Sequence, residues 1–148
     1  MWERVSWYQN PMLHAVVVVV ALLFSIFSLI LWSAGMVRGG GQLDGLAYSA
    51  HWFGLGASAA ALVAILVLAA WLMLTNPALM AFGIPLLVRI ALFIGTLFAV
   101  LTLVSVPLVL FLWLRGAWSV AGRLHFSLAV AMFLLLALVF WYWNLLPF

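Results

Sequence analysis

Three histidines, His14, His51 and His125, are the residues of this 148-residue chain best suited to chemistry. An imidazole can move a proton or ligate a metal, and a pair of them can hold a haem iron. Each of the three stands near the start of a long apolar stretch. His51 and His125 fall at one depth on one side, and His14 falls on the other. The first two therefore have the placement of a b-type haem pair. Three histidines are too few for a bis-histidine cytochrome with several haems, and hydrogen bonding at an interface is the commoner use of such a residue. The expectation is no cofactor. The remaining inventory is sparse: Glu3 and Asp44 are the only acids, five arginines carry all the positive charge, and lysine and cysteine are absent. That excludes a disulfide, a thiolate nucleophile, a Cys-ligated metal and a Ser-x-x-Lys nucleophile. The two acids lie on opposite sides, so they make no carboxylate pair. G-x-S-x-G, H-E-x-x-H and Walker-type patterns are missing as well. No catalytic set can be assembled, and the chain reads as a non-enzyme.

The elements that position these residues follow from composition. Hydrophobic residues make up 71% of the chain and charged residues 5%, against about 25% charged in a soluble domain. So few charges cannot cover a water-facing surface, and the solvent for most of the chain must be lipid. The net charge of +3 is scattered, with no basic stripe for nucleic acid. Four apolar stretches, at about 13–32, 52–74, 86–112 and 124–143, reach the roughly 20 residues that cross a bilayer core. Unbroken apolar runs lack the alternation of barrel strands, which leaves helices. The expected fold is an all-α membrane protein, a four-transmembrane-helix bundle forming a single membrane domain over 1–148. The first stretch is longer than the apolar core of a signal peptide and is preceded by Glu3 beside Arg4. It reads as an uncleaved helix.

The breaks are chemically plain. "SAGMVRGGGQLDG" reads as a flexible polar loop. "TNPALMAFGIP" brackets a short connection with Pro77 and Pro85, and "RGAWSVAGR" carries two arginines. Pro107 falls inside the third span, where it is expected to kink the helix. Arginine counting sets Arg38, Arg115 and Arg123 against Arg4 and Arg89, a bias for loops one and three in the cytoplasm and both termini outside. Trp7, Tyr8, Trp141, Tyr142 and Trp143 would then form the outer aromatic belt, and Trp32, Trp113 and Trp118 the inner one.

Two further features bear on assembly. Arg89, one turn into the third span, reads as a residue reaching toward headgroups, or as one held by Glu3. "GLGASA", Gly54 to Ala59, matches G-x-G-x-x-A, but it lacks the strand and βαβ unit that a dinucleotide site requires. Gly54 with Ser58, and Ala57 with Ala61, are small-xxx-small pairs, repeated by Ala91, Gly95 and Ala99. They predict close packing of the second and third helices, within the chain or between copies in a homo-oligomer. Arg123 is expected to meet phosphates or Asp44. Asn144 is expected to bond a loop or a headgroup.

"WERVSWYQNPMLH", "FGIP", "AGRLHFSL" and the closing "FWYWNLLPF" resemble the C-terminal transmembrane region of bacterial serine hydrolases of the β-lactamase/penicillin-binding-protein-like superfamily. Most of the chain takes part in the resemblance. It is most specific at Arg123, Leu124, His125 and Phe126, and at Tyr142, Trp143, Asn144, Leu145, Leu146 and Phe148. Pro147 stands where that pattern usually has glycine, and the family's catalytic domain has no counterpart here. The resemblance implies a bacterial inner-membrane module whose outward N-terminus would follow, or hold, an extracytoplasmic hydrolase domain or protein partner. The alternatives are a small b-haem or quinone-linked membrane subunit, resting on His51 and His125, and a transporter component. The last lacks the broken helices with inward polar groups that transport sites use.

Overall fold

The computed structural model describes residues 10–35, 45–74 and 85–146. Glu3, Arg4, Trp7, Tyr8, Arg38, Asp44, Pro77 and Phe148 lie outside the described residues, together with the expectations placed on them. Four helices make up the rest: α1 Pro11–Ser33, α2 Gly45–Leu74, α3 Leu86–Arg115 and α4 Val120–Tyr142. Each is long and apolar enough to cross a bilayer.

The helix ends have local causes. Asn10 caps α1, its side chain accepting from the Met12 N–H at 3.0 Å, and Pro11 occupies the first turn, where its missing N–H is no loss. Pro85, held in extended backbone, precedes α3, and Gly116 ends it at φ +65°. Ser119 caps α4 by accepting from the Gly122 N–H at 3.1 Å. The structure starts α2 at Gly45 where hydropathy alone suggests about 52. Tyr48, Ser49 and His51 dilute the apolar run there, yet "GLAYSAH" contains no helix breaker beyond its opening glycine. α3 runs through Pro107, which lacks the N–H that would reach the Leu103 carbonyl.

The helices form a ring. α1 packs on α2 and α4, α3 packs on the same two, and the most extensive contact joins α2 to α3. Neighbouring helices run antiparallel: Phe98 of α3 meets Phe133 and Phe140 of α4 edge-on, while Trp113 near the far end of α3 bonds Ser127. The interior interleaves small and large side chains. α2 contributes Ala47, Ala50, Ala57, Ala61 and Ala64, and the other helices contribute Trp32, Phe98, Phe126 and Phe133. In lipid the helices gain little from a hydrophobic effect, and alanine lets backbones approach closely enough for dispersion to hold them. Four buried hydroxyls return to their own helices. Ser25 donates to the Ala21 carbonyl, Ser58 to Gly54, Thr102 to Phe98 and Ser105 to Leu101, each at 2.8–2.9 Å.

The inner aromatic belt needs correction. Trp32 is 1% exposed and Trp118 is also buried, so both belong to the core. Trp113 alone of that trio faces outward, at 43% exposure. At the other end Trp141, Tyr142 and Trp143 are exposed, as boundary aromatics are.

Candidate functional site

Two polar contacts between helices lie on the seam where α1 meets α4. At the end shared by the start of α1 and the finish of α4, Trp143 Nε1 donates to His14 Nδ1 at 2.8 Å. An indole N–H only donates, so that nitrogen of His14 is unprotonated in this arrangement. The His14 ring also meets Tyr142 edge-on at 4.9 Å. At the opposite end Ser28 Oγ lies 3.1 Å from His125 Nε2. There the imidazole sits among aromatic rings: Phe24 stacked at 6.3 Å, Phe27 edge-on at 5.7 Å and Trp32 edge-on at 5.5 Å. Both ties link a histidine on one helix to a donor or hydroxyl on the other, one near each membrane boundary.

Glycine makes the second tie possible. A Cβ on Gly54 would stand 2.6 Å from the Trp32 ring and 2.9 Å from Phe126, closer than real contacts allow. Gly54 is therefore the notch in α2 that seats Trp32 between α1 and α4. This gives Gly54 a partner other than the one spacing suggests, while the expected close packing of α2 on α3 is the most extensive in the bundle. Gly54 opens toward α1 and α4, and Gly56 is the glycine facing Leu101 of α3. Ser58 is fully buried one turn on. A Cβ on Gly95 of α3 would meet Phe140, near the end of α4, at 3.5 Å and the Leu145 carbonyl, just past it, at 3.8 Å.

That last turn explains the residues after Trp143. Asn144 has φ +51°, the left-handed conformation that asparagine tolerates better than other side chains. Its N–H reaches the Trp141 carbonyl at 3.0 Å, and the Leu145 N–H reaches the Phe140 carbonyl at 2.8 Å. These are the paired bonds of a Schellman cap. The chain then turns back over α3, Leu145 crosses Gly95 and Leu146 is buried. Asn144 acts through its backbone conformation, with its side chain exposed.

The cations sit elsewhere. Arg123 lies over the Trp113 ring at 5.0 Å, and Trp113 Nε1 donates to Ser127 Oγ at 3.0 Å. Arg89 is exposed at the start of α3. Neither has an ion pair among the described residues, and Asp44 and Glu3, the acids considered for them, lie outside that set. His51 is buried on α2 at 2% exposure, its ring edge-on to Trp52 at 5.7 Å. Among the described residues no three of His, Cys, Asp and Glu gather in a metal-binding group.

The arrangement as a whole can hold helices together through neutral hydrogen bonds, and it exposes one basic corner. Sequence spacing singles out His125 and Trp143, but their partners, Ser28 and His14, emerge only from pairing the first helix with the last. Comparison with family models, curated proteins and solved structures finds no match to this chain.

Proposed function

We propose that this chain is a non-catalytic, multi-pass membrane anchor, holding a serine-hydrolase-like domain or protein partner at the outer face of a bacterial inner membrane. The observation that carries the reading is the use made of the polar side chains. Ser25, Ser58, Thr102 and Ser105 bond their own helix backbones. Ser28, His125, His14 and Trp143 bond one another across the α1–α4 seam. Groups that would serve as nucleophiles or bases in an enzyme are here engaged with helix backbone or in tying α1 to α4. The resemblance of Arg123–Phe126 and Tyr142–Leu146 to hydrolase membrane tails supplies the identity of the partner. Those same residues supply both ends of the seam, which supports a role for that pattern in helix assembly. In this reading both termini face outward, and the partner stands beside the exposed Trp141–Trp143 boundary.

The test is a serine-reactive probe, either fluorescent penicillin or a fluorophosphonate, applied to the chain purified from membranes in mild detergent. The expected result is no adduct on this chain, with a Ser-dependent adduct on a co-purifying polypeptide containing Ser-x-x-Lys. An adduct on the chain itself, lost on substitution of one serine, would overturn the anchor reading.

A further inference from the structure

Arg123 heads a stripe on α4 that continues through Ser127, Val130 and Leu134, residues three and four apart and so on one helical face. Val106, Leu110 and Trp113 form the matching stripe on α3. Between the two stripes runs an open apolar groove of about 230 Å³, with Ser127 among its lining and Leu110 and Leu134 deeper along it. At the Ser127 end stand three linked groups, of which Ser127 alone lines the groove. Ser127 Oγ donates to the Arg123 carbonyl at 2.8 Å and accepts from Trp113 Nε1 at 3.0 Å. That fixes the indole plane, and the guanidinium lies against it at 5.0 Å. Arg123 Nε is enclosed and meets no acceptor among the described residues. Its charge must then be satisfied through the terminal nitrogens, at the start of a helix, where a span leaves the headgroup region.

We propose that this α3–α4 face binds one anionic phospholipid, the phosphate on the Arg123 guanidinium and an acyl chain in the groove beneath. A guanidinium placed over an aromatic face can still offer its N–H groups as a fork of hydrogen bonds, the geometry that suits phosphate oxygens. Inorganic phosphate offers the same oxygens. The groove selects the lipid, because only a lipid carries an apolar chain at a fixed distance from its phosphate. Arg115 provides an internal control. It lies two residues beyond Trp113, about 200° around a helix of 3.6 residues per turn, and rests over Phe111 instead. It carries the same charge at nearly the same depth on a different face.

The experiment compares phosphatidylglycerol, phosphatidylcholine with the same acyl chains, and inorganic phosphate on the purified full chain in neutral detergent. Native mass spectrometry counts retained lipid, and a melting curve reports stabilisation. One phosphatidylglycerol should be retained in preference to phosphatidylcholine. Arg123→Ala should weaken that retention roughly five- to tenfold, the effect of about 1 kcal/mol per arginine near a membrane surface. Arg115→Ala should leave it unchanged. Ala131→Phe, which fills the groove and keeps the arginine, should weaken lipid retention as well, and it tests the site even where Arg123→Ala fails to fold. Equal retention of the two lipids would overturn the proposal. So would equal losses in the two arginine variants, or stabilisation by inorganic phosphate matching that by the lipid.

Discussion

The two ends of the α1–α4 seam use one kind of bond in opposite surroundings. The His14–Trp143 bond lies at the boundary, and its indole is 53% exposed. The Ser28–His125 bond lies among Phe24, an exposed Phe27 and a Trp32 that has almost no exposed surface. At the first end water and headgroups can replace a broken bond. At the second, Ser28 and Trp32 are buried while His125 is half-buried, and the packing around the bond is as demanding as the bond itself. A hydrogen bond within a membrane protein contributes about 0.6 kcal/mol on average. What separates the two ends is therefore the aromatic cage and the glycine notch that admits it, more than the polar pair each contains.

The largest expected effect comes from closing the notch. Gly54→Ala puts a methyl group inside the Trp32 and Phe126 rings and should destabilise the bundle by about 1–3 kcal/mol, the range of overpacked cores; Gly54→Val should exceed it. Gly95→Ala is the matched change at the other end. Its methyl would meet Phe140 at an ordinary 3.5 Å, and its effect should be much smaller. Thermal unfolding in detergent measures both, and equal losses would erase the distinction between the ends.

Next in size is the cap that turns the chain back over α3. Asn144→Val forces a β-branched residue into left-handed backbone, at a cost of about 1–2 kcal/mol. Asn144→Gly should retain wild-type stability, since glycine is the commonest residue at that position of a Schellman cap. Loss of stability in the glycine variant would transfer the role of Asn144 from its backbone to its amide.

The smallest effect is the coupling within each polar pair. Double-mutant cycles with His14→Ala and Trp143→Phe, and with Ser28→Ala and His125→Leu, should each give about 0.6 kcal/mol or less in the cap-side pair and somewhat more in the caged pair. A larger coupling at the boundary would reverse the ranking of the two ends.

How much of this is legible from sequence depends on which variable is asked for. Four spans and their helical character follow from length and hydropathy, and the breaks follow from glycine and proline. Rotation about each helix axis does not follow. A helix that is apolar on every side has no polar face to mark its outside. Trp32 and Trp113 therefore look alike in sequence, each near the end of a span, yet one fills the core and the other faces outward. The same blindness directs Gly54 toward α3 by spacing, when its neighbours are Trp32 and Phe126. Asn144 was open to a better sequence reading. Asparagine directly after an apolar helical run is a recognised stop signal with a defined backbone conformation. Arg123 is legible as a headgroup-seeking cation, but the plate beneath it is not, because Trp113 sits ten residues away on another helix.

The joining of the first helix to the last also has a consequence in time. His14 and Trp143 are 129 residues apart in sequence, and Ser28 and His125 are 97 apart. At about 5–20 residues per second of synthesis, His14 precedes its indole partner by roughly 6 to 26 s. Until α4 is made, α1, α2 and α3 can enter the bilayer and pack, but neither seam bond can form. Before α4 arrives, the Trp143 bond to His14 and the His125 bond to Ser28 are both unmade. The arrival of α4, which packs on both α1 and α3, thus closes the ring.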